Sequence, residues 1–285
     1  MSQGIQAKPG YRPQTEDTSI EADVYLFNRI RQLTLQQRVD LAIAQDRSTR
    51  KLCLTGIKWR HPSAPQEEIR DRFAHAVLAS KFPLNFQPTS TNEAMWIQDS
   101  ITLAQNFHQI LEPAGMMYYV SGGVASSIHG EARSTRDLDL VIQVQQNQID
   151  SLVTTLQAEG FYCPESAVEE VKQLRSRILN ITHTETIANA DLYVMEPLPF
   201  SQSQMARRQL LPLNGQAGFW VISPEDLILQ KLLWRRGSKS EKQWRDVLGI
   251  LKVQALELDY RYLVAWAERL EILEPFNQVL LEAGV

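Results

Sequence analysis

The chain has 285 residues, 44% of them hydrophobic and 22% charged, with a formal net charge of −4. That is enough apolar material for one large globular domain or two smaller ones. No run approaches the roughly 18 apolar residues that cross a membrane, and the overall charge gives no reason to expect bulk attraction to nucleic acid.

Residues 1–17 are polar, contain Pro9, Gly10 and Pro13, and lack an apolar leader region. They read as a flexible arm rather than a secretory signal, with residues 1–15 poorly ordered and dispensable for stability. Cys53 and Cys163 are far apart in sequence and read as free thiols. Both features predict a cytoplasmic protein. Residues 18–90 read as a helical N-terminal domain. Val24, Phe27, Ile30 and Leu33 recur at helical spacing, Trp59 to Pro65 breaks the pattern, and Glu67 to Leu78 resumes it. The stretch from Lys81 to Asn92 reads as a linker.

From Glu93 to Leu111 the pattern predicts one helix, apolar over a wide arc. Met116 to Val120 predicts a core strand, running into the turn Ser121-Gly122-Gly123 and a short helix, Val124 to His129. Leu138 to Val144 is a second strand, Ile149 to Gly160 a helix closed by glycine, and Arg177 to Thr184 and Ala190 to Met195 are further strands. Ser223-Pro224-Glu225-Asp226 carries the signals of a helix start, and the remainder is helical with a break near Gly237. The fold class is therefore α+β, a mixed β-sheet with flanking helices. Its divisions are 18–90, a sheet-bearing domain at 91–222 and a helical segment at 223–285.

Alternate side chains of a strand face the same way, so Asp137 and Asp139 point together while Leu138 and Leu140 enter the core. Two neighbouring carboxylates repel, and a hard divalent cation removes that penalty. Glycines directly after a strand and before a helix let backbone N–H groups approach a phosphate. A phosphate cradle beside a metal site suits phosphoryl or nucleotidyl transfer by two metal ions. A third carboxylate from another strand is expected, and Asp191, just ahead of an apolar strand, has that setting. Its alternative reading is a strand-end turn residue.

Charge is unevenly spread. From Arg29 to Arg72 there are ten Lys or Arg against five Asp or Glu, and from Lys231 to Arg245 six against one. Two readings stand, solvated helix faces or patches that hold phosphates. Lys231 and Arg235, four apart, share a helix face, and the basic run continues through Arg236, Lys239, Lys242 and Arg245. His129 reads as a packed, hydrogen-bonded histidine rather than a catalytic base.

Gly122-Gly123-Val124-Ala125, His129-Gly130, Arg133 with Thr135, and Asp137-Leu138-Asp139 resemble the signature of the polymerase-β-like nucleotidyltransferase superfamily. The pattern is most similar to its small prokaryotic members, including abortive-infection toxin-type nucleotidyltransferases. Pro224-Glu225-Asp226-Leu227, Lys231, Arg235 and Asp246 are similar to the helical segment that follows the sheet in those proteins. The resemblance spans roughly residues 93 to 255 and leaves residues 1–90 unexplained.

It implies that Gly122 and Gly123 hold nucleotide phosphates and that Asp137, Asp139 and Asp191 hold two Mg2+ ions. Here Gly-Gly stands where relatives often carry Gly-Ser, with Ser121 before and Ser126 after it, so which hydroxyl touches phosphate is open. Arg133 and Thr135 brace the turn, or Arg133 is an ordinary surface arginine. The implied reaction moves a nucleoside monophosphate from a nucleoside triphosphate to an acceptor hydroxyl on RNA, protein or a small molecule. The alternative is a non-catalytic nucleotide-binding module of the same fold. The N-terminal helical part is a further expectation as a contact for a protein or RNA partner, within a toxin–antitoxin setting.

Overall fold

Small polar side chains fix where the helices of the N-terminal third begin. The Ser19 hydroxyl accepts from the Ala22 N–H at the start of α1 (Ile20–Arg31). Thr34 and Gln37 close a reciprocal capping box at the start of α2 (Leu35–Arg60), and α3 (Gln66–Leu78) follows the turn at Pro62–Pro65. These come from a computed structural model that describes residues 7–213, 216–238 and 240–285. Residues 1–6 of the expected arm and Lys239 of the basic run lie outside the described residues.

The expected helix from Glu93 to Leu111 is two helices, α4 (Glu93–Trp96) and α5 (Ser100–Leu111). Asp99 adopts an extended backbone between them, and its carboxylate accepts from the N–H groups of Ile101 and Thr102. A side chain able to satisfy the free N–H groups of a helix start competes with continuing the helix through it. Next come β1 (Met117–Val120), α6 (Gly122–His129), β2 (Asp137–Gln143), α7 (Ile149–Ala158), β3 (Phe161–Tyr162) and α8 (Glu165–Lys172). They are followed by β4 (Ile178–His183), β5 (Asn189–Val194), α9 (Pro199–Arg207), β6 (Gln209–Leu213) and β7 (Gln216–Val221). The chain ends in α10 (Pro224–Ser238), α11 (Glu241–Gln254), α12 (Tyr260–Arg269) and α13 (Leu273–Ala283).

The seven strands form one mixed sheet in the order β3-β4-β5-β2-β1-β7-β6. The pairs β2–β5 and β1–β7 are parallel and the others antiparallel. The register of the central parallel pair places Asp137 opposite Asn189 and Asp139 opposite Asp191. The main core runs from Val39 and Phe107 through the sheet to Leu248 and Phe276. A second cluster joins α2 and α3 to Trp96 and Phe86. Among the described residues, no helix is long and apolar enough to cross a membrane.

The described part of the arm is not loose. Tyr11 is buried and its hydroxyl donates to Asp23 Oδ2 at 2.5 Å, while the Gln14 N–H donates to Asp23 Oδ1 at 2.9 Å. Lys252 Nζ donates to Asp23 at 2.7 Å and to the Arg12 carbonyl at 2.6 Å, and both Lys252 and Asp23 are closed off from solvent. The Arg12 N–H reaches the Glu282 carbonyl at 2.9 Å. Residues 11–14 of the expected flexible arm are therefore anchored. A buried lysine needs acceptors, and the arm supplies one of them and orients another. Asp23→Ala leaves Lys252 buried without its carboxylate and should cost about 3–5 kcal/mol in a urea titration. Removal of residues 1–15 should destabilise in the same direction. An Asp23→Ala protein with an unchanged midpoint would show that Lys252 finds another acceptor.

Candidate active site

Strand β1 ends at Val120, and Ser121 is held by a hydrogen bond from its N–H to the Asp139 carbonyl at 2.8 Å. The chain then turns at Gly122, whose φ is +57°, and enters α6. A Cβ at Gly122 would stand 1.8 Å from Asp139 Oδ2, and one at Gly123 would stand 2.5 Å from Thr135 Oγ1. Both glycines are thus demanded by close approach, the first also by its backbone conformation. The Gly123 N–H points at Asp139 Oδ2, 3.4 Å away.

The structure brings Asp137, Asp139 and Asp191 together at the ends of β2 and β5. Asn189 links two of them, its amide 3.3 Å from Asp137 Oδ1 and 3.2 Å from Asp191 Oδ1. Asn180, opposite Asp191 on β4, donates to the same Asp191 oxygen at 2.5 Å. The Tyr193 hydroxyl faces Asp139 Oδ1 at 3.4 Å. Burial and the neighbouring charges of Asp191 and Asp137 push the Asp139 carboxyl above its ordinary range.

Lys81, at the end of a single 3-10 turn after α3, reaches this cluster from the segment expected to be a linker. Its Nζ donates to Asp137 Oδ2 at 2.6 Å and Asp191 Oδ2 at 2.5 Å. Burial works against its charge, but the two carboxylates outweigh that and raise its affinity for the proton.

The other face of the cleft, about 770 Å³ in volume, is basic and tightly paired. Arg133 grips Asp246 with two bonds of 2.8 Å, and Lys231 Nζ donates to Asp246 at 2.7 Å and to Gln243 at 2.9 Å. Arg133 is thus no ordinary surface arginine. Burial pushes the Lys231 ammonium down, while bonds from Arg133 and the charges of Lys231 and Arg133 overcome burial and hold Asp246 below the usual carboxylate range. Asp46, from α2, accepts the Thr135 N–H at 2.9 Å and fixes the turn that leads into β2. Lys242 and Trp234 also line the cleft.

Several expected contacts lie elsewhere. Arg235 does not face the cleft: its guanidinium stacks on Trp244, 4.2 Å from the ring centre. The Ser121 hydroxyl donates to Gln230 at 2.5 Å and that of Ser126 to the Gly122 carbonyl at 2.7 Å, and both residues are buried. Both hydroxyls therefore brace the turn from behind. Thr135 Oγ1 closes on the Asp137 carbonyl at 3.2 Å. His129 is buried against the Ile222 carbonyl, with burial lowering its pKa to about 4. Lys81, Asp46, Asn180 and Asn189 were not expected. Asn189 had a signal, standing two residues before Asp191 on the same strand face, whereas nothing near Lys81 or Asp46 in sequence marks either one.

Three carboxylates on adjacent strands, with a fixed glycine turn beside them, are the kind of oxygen donors that a hard divalent cation takes. Among the described residues no three His, Cys, Asp or Glu side chains converge as a ready-made metal site, and the Lys81 ammonium pairs with both Asp137 and Asp191.

Over residues 31–86 the chain matches the model of a family described as Rv0078B-related antitoxin. No curated protein matches it. Among solved structures, the chain is similar to an antigenic nucleotidyltransferase-like protein from Paracoccidioides brasiliensis. That similarity has 21% identity and a TM-score of 0.42, over 65% of this chain and 93% of the other. It is also similar to the antibiotic-resistance factor ANT(2'')-Ia, at 16% identity over 62% of this chain and 97% of that one, with a TM-score of 0.37.

The raised proton affinity of Asp139 has a measurable consequence. A carboxyl held above its unfolded value penalises the folded state at pH values where it is ionised, and the penalty vanishes in acid, where both states carry the proton. In chelator-treated protein, Asp139→Asn should melt at an equal or higher temperature than the parent near neutrality, and the advantage should shrink as the pH falls through the carboxylate range. A large drop in midpoint near neutrality would mark Asp139 as a structural acceptor for Gly123 and Tyr193 instead.

Proposed function

We propose that the chain is a Mg2+-dependent nucleotidyltransferase that moves a nucleoside monophosphate from a nucleoside triphosphate to an acceptor hydroxyl. The observation that carries this reading is the register Asp139 to Asp191 across two parallel strands, set against a glycine turn in which Asp139 occupies the space of a side chain.

In this reading the N–H groups at Gly122 and Gly123, at the start of α6, receive phosphate oxygens. Lys231, Arg133 and Lys242 offset the triphosphate charge from the opposite wall. The pairing of Lys231 and Arg133 through Asp246 keeps both cations at fixed positions, so little reorganisation is needed when the anion arrives. Tyr193 and Trp234, with ring centres 6.3 Å apart, offer flat surfaces beside the cleft for the base. Asp137, Asp139 and Asp191 would hold two magnesium ions, which would supply charge neutralisation of the phosphates and activation of the attacking hydroxyl. Asp191 would serve the acceptor side, with Asn180 and Asn189 fixing the direction of its carboxylate.

The antitoxin-related match over residues 31–86 supports a toxin–antitoxin setting. There the N-terminal helices would act as the part that restrains the catalytic part or meets a protein partner. A non-catalytic nucleotide-binding module is the second reading. It is favoured by Lys81, whose ammonium already neutralises two of the three carboxylates.

Incubation with each labelled triphosphate, magnesium and total cellular RNA separates the readings. Transfer of label to RNA or protein is the expected result. Asp137→Asn or Asp139→Asn should abolish it, and Asp191→Ala should weaken transfer much more than triphosphate binding. Tight triphosphate binding with no transfer to RNA, protein or small hydroxyl acceptors would favour the module.

A further inference from the structure

We infer that Lys81 is a built-in counter-cation that holds the place of a divalent ion between Asp137 and Asp191. On this view the segment carrying it, residues 79–86, must withdraw before the ion and the acceptor can enter. The inference rests on the reading of these carboxylates as cation ligands.

An ammonium within 2.6 Å of one carboxylate and 2.5 Å of another leaves no room for a second cation between the same two oxygens. Ammonium and metal ion are therefore alternatives. The ammonium brings one positive charge to three carboxylates, and a divalent ion brings two, so the exchange is favoured when the ion is abundant. The lysine stem is flexible, and its head has a route to water because the side chain keeps about a third of its exposure (35%).

The carrier segment holds backbone strain at both ends. Ala79 has φ +48° and Asn85 φ +64°, positive values in residues other than glycine, and Leu84 is almost fully exposed. The segment is held by Tyr162, whose hydroxyl donates to the Leu84 carbonyl at 2.7 Å, by the buried ring of Phe86, and by Phe82, which stacks on His75 with ring centres 3.9 Å apart. Lys81 also lines both the cleft over the carboxylates and a neighbouring cavity of about 940 Å³, which Phe82, Tyr162 and Asn180 line as well. Asn180 is one of the groups that hold Asp191. Withdrawal of Lys81 thus joins the two spaces on the Asp191 side, where an acceptor hydroxyl has to approach.

The test is Mn2+ titration of the full-length chain, with free ion read by electron paramagnetic resonance. Lys81→Met keeps the apolar stem and removes the charge. If the competent state of the parent is populated about one tenth of the time, the variant should bind Mn2+ about tenfold tighter. Equal or weaker binding by a folded Lys81→Met protein, alongside a parent that binds, overturns the inference and leaves the carboxylate site standing. Absence of binding in both chains overturns the carboxylate reading and the inference with it. Hydrogen exchange on the unmodified chain covers the case in which the variant fails to fold. Saturating Mg2+ should speed exchange at residues 79–86, and unchanged or slower exchange while the ion binds overturns the inference.

Discussion

Three carboxylates at the ends of two adjacent strands repel one another, and the groups around them are arranged to bear that repulsion. Asn189 and Asn180 donate to Asp137 and Asp191, the Gly123 N–H and the Tyr193 hydroxyl face Asp139, and Lys81 spans two of the three. The glycine turn exists because Asp139 fills the volume a side chain would take. Even the opposite wall follows the same logic with the signs reversed: Arg133 and Lys231 are kept apart from each other, and in place, by the shared anion of Asp246. A site that concentrates charge of both signs needs polar partners for every group, because an unpaired one in this half-buried cleft would be costly.

The helical N-terminal part is built into that arrangement rather than attached to it. Asp46 holds the Thr135 N–H and approaches the Ser100 N–H, Arg38 donates to the Ile128 carbonyl behind the glycine turn, and Arg50 donates to Trp96 from a buried position. At the far side, Arg31 donates to the Lys252 carbonyl, and Lys252 closes on Asp23. Polar contacts of this kind tie α1 and α2 to the elements that carry the site, so a change in the helices is felt at the turn into β2.

The centre of the site was legible because strand periodicity is strict. Alternation at Asp137, Leu138, Asp139 and Leu140 decides which side chains share a face, and the apolar run after Asp191 marks a further strand, whereas its parallel pairing with β2 was not legible. What escaped was non-local or subtle in rotation. Lys81 meets Asp191 across 110 residues of sequence, and no local pattern encodes such a contact. Lys231 and Arg235 do share a helix face in spacing, yet the longer arginine turns away from the cleft to stack on the buried Trp244. The β6–β7 hairpin was missed because Pro212 and Gly218 interrupt any strand pattern. The structure accommodates them with β6 at the sheet edge, where a missing N–H is tolerated, and with a bulge between Leu211 and Leu213.

The buried pair of Asp23 and Lys252 also bears on how the molecule is made. The two residues are 229 positions apart, so at about 5–20 residues per second roughly 10–45 s of translation separate their appearance. The arm and α1 cannot dock until α11 has left the ribosome. Lys81, by contrast, is synthesised 56 residues before Asp137 and 110 before Asp191. On the nascent chain the positive charge is already waiting when each of those two acids emerges.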